Sequence, residues 1–99
     1  MTDVKPMANP MHPGEFIVEV YLKPVGISGR EFAKSLQLST AAVCRMLAGT
    51  SSVSADMAQR LSEVLGRSPE SWLAMQNIYD LAQLRKVQSR PTLQKLISV

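Results

Sequence analysis

Residues 28–49 read SGREFAKSLQLSTAAVCRMLAG. Ser28 has Glu31 three residues on, the spacing of a capping box, and Phe32, Ala33 and Leu36 then recur as the inward stripe of a short helix. Polar residues interrupt the stripe at Gln37-Leu38-Ser39, and Ser39 can cap a second helix whose apolar positions are Val43, Met46 and Leu47, with Gly49 as its left-handed terminus. Two helices joined by so tight a turn must cross closely, which calls for a small residue on the first. Ala33 stands opposite Val43, and Phe32, Leu36, Leu38 and Met46 complete the contact. The outward positions of the second helix are then Thr40, Ala41, Cys44, Arg45 and Ala48.

Upstream, Pro13 can occupy the first turn of a helix, where a missing N–H is tolerated, and Phe16, Ile17, Val20 and Tyr21 recur at helical spacing until Lys23-Pro24, which is expected to end it. Residues 1–12, MTDVKPMANPMH, have no helical period and read as a flexible arm with His12 in solvent. Downstream, Thr50-Ser51-Ser52 is a loop. Ser54 caps a fourth helix carrying Met57, Ala58, Leu61, Val64 and Leu65, stopped by Gly66. Ser68-Pro69-Glu70 opens a fifth, running to about Lys86, with a cap, a proline at the first position and an acid near the positive end of the dipole. On it Trp72, Met75, Tyr79 and Ala82 share one face while Leu73, Leu81 and Leu84 spread over others, more than one core can absorb. The expectation is an all-α chain of five helices over residues 13–86 and a tail over 87–99, in which Leu93, Leu96 and Ile97 after Pro91 allow a short extra helix. No stretch alternates with period two as a strand would.

Ninety-nine residues give room for one domain, and 45% hydrophobic with 19% charged residues is ordinary globular composition, so the chain should fold. No apolar run approaches the roughly 18 residues needed to span a bilayer and the N-terminus has no signal pattern, which points to the cytoplasm. Cys44 and His12, each the only one of its kind, are too little for a disulfide framework or a structural zinc site; no metal or cofactor is expected. The formal charge of +3 is compatible with a polyanionic partner without identifying one. Catalysis would need a nucleophile and base, or paired carboxylates in a pocket, and with its single histidine in the arm the chain does not read as an enzyme.

The 28–49 unit has the spacing of a helix-turn-helix. With it, HPGEFI at residues 12–17, VSADMAQRLSEVLGRSPESWLAMQNIYDL at residues 53–81 and the total length, the chain resembles the lambda-repressor-like, or XRE-type, helix-turn-helix domains, and within them the HigA-type antitoxins of bacterial toxin–antitoxin modules, over roughly residues 12–86. The SPESWLAMQNIYDL segment is the more specific half of the likeness. Two positions depart from the usual pattern: Gln37 stands where such turns most often have glycine, and Ala41 and Ala42 place methyl groups where other repressors carry amides. Fewer direct base hydrogen bonds would leave more of the specificity to thymine methyls and DNA shape.

The resemblance implies a lambda-repressor-like fold with the helix-turn-helix at helices 2 and 3, and a homodimer that binds a palindromic operator in double-stranded DNA. It further implies repression of its own operon, neutralisation of a HigB-like, RelE-type mRNA ribonuclease, and cytoplasmic location with the nucleoid when bound. It implies that the helix starts at Ser28 and Ser39 face phosphates, reinforced by Arg30 and by the loop Thr50-Ser51-Ser52. Arg45 would pair with guanine O6 and N7, Thr40 would pack on a thymine methyl or donate to a base edge, and Ala41 and Cys44 would complete the base-contacting set. The surplus apolar surface of the fifth helix agrees with a dimer interface at Trp72, Met75, Ile78, Tyr79, Leu81 and Leu84. Against these stand plainer readings: Trp72 as core, the serines as caps alone, Cys44 without a regulatory role. A stand-alone regulator without a toxin, and a module that binds only proteins, are the alternatives.

Overall fold

Regular structure begins where a proline can begin it. In the computed structural model, which describes residues 9–87 and 89–97, Pro13 opens helix α1 and His12 caps it, the ring Nδ1 accepting from the Gly14 N–H at 2.9 Å. Helix α1 is continuous but has three parts: an α turn over Pro13–Ile17, a π-helical segment over Val18–Leu22 and a closing turn over Lys23–Val25. It passes through Lys23-Pro24, where the sequence places its end, and stops at Gly26, whose φ of 78° is left-handed. The π segment accounts for this. The Lys23 N–H bonds to the Val18 carbonyl, five residues back, so the turn ahead of Pro24 is wider than the α register in which its ring would strike a carbonyl. The same segment changes the buried face. Ile17 and Leu22 are both buried, although an α-helix would set them about 140° apart, whereas Val20 is 48% exposed and Tyr21 half-buried.

Helices α2 (Gly29–Leu36), α3 (Thr40–Leu47), α4 (Ala55–Leu65) and α5 (Pro69–Arg85) follow as expected. Each starts behind a serine. The hydroxyls of Ser28, Ser39, Ser54 and Ser68 accept from the N–H groups of Glu31, Ala42, Met57 and Ser71 at 3.0–3.1 Å, each cap contributing about 1 kcal/mol. There is no strand among the described residues. The core draws on every helix: Ile17 and Leu22, Phe32 and Leu36, Val43 and Met46, Leu61, and Trp72.

Trp72 belongs wholly to this core, with no exposed surface, and so leaves the set of expected interface residues. Phe16 and Tyr21 of α1 flank its ring with centroids 6.0 and 6.2 Å away, its indole N–H donates to the Gly66 carbonyl at 3.0 Å, and the Arg67 guanidinium covers it at 5.4 Å. Residues 89–97 carry no regular structure, and Leu93, Leu96 and Ile97 are 75, 96 and 68% exposed. The extra helix is absent there because a short segment behind Pro91, with nothing to pack on, cannot offset helix nucleation; Gln88, Ser98 and Val99 lie outside the described residues. So do residues 1–8 of the arm. Its last residues are packed: Pro10 is buried, and His12 is 4% exposed rather than in solvent.

The orientation of α3 depends on Gly14. A Cβ at Gly14 would collide with the carbonyl oxygen of Met46 and stand 2.8 Å from the Leu47 Cα, so main chain lies on main chain. Gly14→Ala must force α1 and α3 apart, and we expect a loss of about 3 kcal/mol or more in chemical denaturation, the upper end of overpacking costs. A loss below about 0.5 kcal/mol, the level of neutral surface changes, would refute the close approach.

Candidate nucleic-acid interface

The turn between α2 and α3 pivots on Gln37, whose φ of 57° and ψ of 44° are left-handed. A side chain there costs about 1–2 kcal/mol, which is why glycine is usual. Arg60 of α4 offsets the cost from outside the turn. Its guanidinium donates to the Leu36 carbonyl at 2.7 Å and to the Gln37 carbonyl at 3.5 Å, and is itself steadied by Asp56 at 2.9 Å. The turn is tied to the domain by the two carbonyls that the end of α2 leaves open.

With Val43 and Met46 fully buried, α3 shows the opposite face to solvent: Thr40, Ala41, Cys44, Arg45 and Ala48 are all exposed. The structure thus brings the four expected base-contacting residues onto one surface. Arg45 has no ion-pair partner among the described residues. The start of α2 comes close beside them, for a Cβ at Gly29 would lie 3.3 Å from the Cys44 Sγ. Ser28, Gly29 and Arg30 therefore border the middle of the α3 face.

The two helix starts are not equivalent. At α2 the Ser28 N–H is already taken by the Glu31 carboxylate at 2.9 Å. The Ser28 N–H, and after it the Ser28 hydroxyl, hold the Glu31 carboxyl below its ordinary value, so a negative charge sits at this helix start at neutral pH. At α3 the first turn contains no acid, and Ser39 caps it alone. The positive end of the α3 dipole is the one left open to an anion.

The loop after α3 differs from the expectation in one respect. Thr50 closes the helix, its N–H and its hydroxyl both donating to the Arg45 carbonyl at 3.0 and 3.1 Å. Its hydroxyl proton is committed and cannot serve a phosphate, which leaves Ser51, half-buried, and Ser52, exposed. Two residues absent from the sequence-based site hold this loop. Gln76 of α5 is 3% exposed, accepts from the Val53 N–H at 2.8 Å and donates to Asp80 at 3.0 Å. His12 lies beneath Gly49 and Ser51. The available signals were that Gln76 falls four residues after Trp72 on the inward stripe, and that His12 directly precedes the Pro13 helix start.

Helix α5 exposes Ile78, Leu81 and Leu84 by 52, 48 and 47%, and Met75 and Tyr79 on the same helix are half-buried. An open apolar groove of about 390 Å³, lined by Asn9, Pro10, Met11, Phe16, Met75 and Ile78, adjoins this face. Among the described residues no cluster of three or more His, Cys, Asp or Glu could hold a metal ion, and no helix is long and apolar enough to cross a membrane.

Residues 19–72 match the helix-turn-helix family. The chain is 36% identical over 92 residues to the HTH-type transcriptional regulator YddM of Escherichia coli K12, covering 93% of this chain and 97% of that protein. It is 30% identical over 81 residues to antitoxin HigA-1 of Vibrio cholerae, covering 82% and 76% respectively. Among solved structures, the Pseudomonas aeruginosa antitoxin HigA with the higBA promoter superposes with a TM-score of 0.73 at 28% identity, covering 82% of this chain and 98% of that one.

Two substitutions test the supports of the face. Gln76→Leu strands the buried Val53 N–H and should cost about 1–3 kcal/mol in chemical denaturation. Gln37→Gly removes the left-handed strain and should raise stability by up to about 1 kcal/mol; a destabilised Gln37→Gly protein would contradict the assigned backbone conformation.

Proposed function

The chain belongs to the helix-turn-helix family, and on that premise we propose that it is a sequence-specific DNA-binding repressor of the HigA antitoxin type rather than an enzyme. The observation that carries the reading is the solvent face of α3: small residues around one unpartnered arginine, beside a helix start free of acid. Such a helix fits a major groove about 12 Å wide. Arg45 supplies the bidentate contact to guanine, Thr40 meets a thymine methyl or a base edge, and Ala41 and Cys44 allow close approach. The α3 start at Ser39 takes a phosphate, and Arg30, Ser51 and Ser52 take others, whereas the Ser28 hydroxyl is engaged by Glu31.

Two copies read the two halves of a palindrome, and the α5 face of Met75, Ile78, Tyr79, Leu81 and Leu84 joins them; a monomer would leave that apolar surface in water. The likeness to proteins named as antitoxins, one of them solved with its promoter, supports an operator in this chain's own promoter and a HigB-like ribonuclease as partner, both in the cytoplasm.

The protein is titrated against its own promoter fragment beside Arg45→Ala, at two salt concentrations, with a scrambled fragment as competitor. Binding should resist the competitor, weaken with salt and lose about 1–3 kcal/mol in the variant. Equally weak binding to both fragments, indifferent to Arg45, would remove the repressor reading and leave a protein-binding module. Operator binding with no ribonuclease gene alongside would reduce the protein to a stand-alone regulator.

A further inference from the structure

The positive charge of this chain lies outside the helices that form its DNA-reading face. Residues 1–80 hold seven Lys and Arg against eight Asp and Glu, whereas residues 81–99 hold Arg85, Lys86, Arg90 and Lys95 and no acid. The formal charge of +3 is therefore a body of −1 carrying an end segment of +4. Several cations of the body are already engaged. Lys23 pairs with Glu19, Arg60 pairs with Asp56, and the Arg67 guanidinium lies over Phe16 and Trp72. Arg30 and Arg45 at the α3 face are accompanied by the Glu31 carboxylate at the start of α2. Sequence-independent affinity for DNA comes from cations that displace the counterions condensed on its phosphates. A body of −1 draws little from that term and is not steered towards a polyanion at a distance.

We propose that the segment from Arg85 to Lys95 is a second DNA-binding element: a basic strap that grips the phosphate backbone whatever the sequence, while α3 reads the bases. The inference rests on the operator-binding reading and adds to it a surface outside the helix-turn-helix. All four cations of the strap are exposed, and none has an ion-pair partner among the described residues. The Lys86 ammonium donates to the Asn9 side-chain oxygen at 2.8 Å, a neutral partner that leaves its charge uncompensated.

Beyond Lys86 the chain is built to follow a surface rather than to make one. Residues 89–97 have no regular structure, and Pro91 stands between Arg90 and Lys95. Extended, the nine residues from Lys86 to Lys95 span about 30 Å, comparable with the two shorter dimensions of the molecule, 34 and 25 Å. The strap can therefore pass from the end of α5 to DNA held against α3. It leaves from the helix whose apolar face joins two copies in the reading above, so a dimer carries two straps and eight strap cations for one operator.

Leu93, Leu96 and Ile97 are exposed in the same segment and would suit docking on a protein instead. Two variants separate the occupants: Arg90→Gln/Lys95→Gln removes charge, and Leu93→Ser/Leu96→Ser removes apolar surface. All four side chains lie in solvent, so both variants should melt with the wild type. Each protein is titrated against the promoter fragment and the scrambled fragment between about 50 and 200 mM salt. The charge variant should lose the same factor of affinity for both fragments. Its plot of log affinity against log salt should be shallower by about two for each copy bound, so that this fourfold rise in salt weakens the wild type about tenfold more than the variant per copy. The leucine variant should follow the wild type. An unchanged salt slope in the charge variant would overturn the strap, as would a loss confined to the promoter fragment. Weakening by the leucine variant alone would make the segment a protein-docking tail. A wild type with no preference for its promoter, but with a salt slope that the charge variant flattens, would overturn the operator reading and leave the strap standing.

Discussion

Where α3 points is set by a contact in which no side chain takes part. The opening turn of α1 lies against the closing turn of α3, backbone on backbone, because residue 14 is glycine. Each residue of the triplet before that contact has its own duty. His12 closes the helix start, Pro13 sets the first backbone angle at no cost in hydrogen bonds, and Gly14 admits the neighbouring chain. A helix that is to enter a groove cannot rock on its support, and main-chain contact is stiffer than side-chain contact because it has no rotamers to exchange.

Polar groups do the rest of the positioning, mostly from outside the segment that they serve. Arg60 on α4 holds the turn ahead of α3, and Gln76 on α5 holds the loop behind it. The helix presented to solvent is thus fixed at both ends by buried or half-buried partners on the two helices that follow it in the chain. The serine caps act locally and could be assigned one by one. These two clamps span 23 and 24 residues and could not.

That difference explains what the sequence disclosed. Ser28, Ser39, Ser54 and Ser68 mark helix starts because a capping bond closes within three residues, and the stripes of α2 through α4 follow from a regular period. The exposed face of α3 came with them, as the complement of Val43 and Met46. Trp72 was ambiguous, since large aromatic residues suit an interface and a core alike, and only the surrounding Phe16, Tyr21 and Gly66 carbonyl decide it. His12 looked like an arm residue because histidine is not among the usual helix caps; its bond to the Gly14 N–H is local, but the packing that buries it comes from α5 and from the end of α3. The tail over 89–97 had the right spacing for a helix and no surface to lie on.

The π segment of α1 is where the period itself fails. A π turn is an α turn with one residue to spare, so Val18–Leu22 behaves as a helix carrying a built-in insertion. The spare residue lets two apolar anchors, Ile17 and Leu22, face the same way at a spacing the plain helix would split. It follows that this helix has two lengths at which it can keep its N-terminal anchorage. A chain one residue shorter here would recover an unbroken hydrogen-bond ladder and set the two anchors four residues apart, about 40° around a plain helix, so the residue now at 22 would keep its place in the core, but the ring of Pro24 would come against a carbonyl. Length variation in α1 is therefore constrained by the proline, and the irregular turn and Pro24 should be gained or lost together.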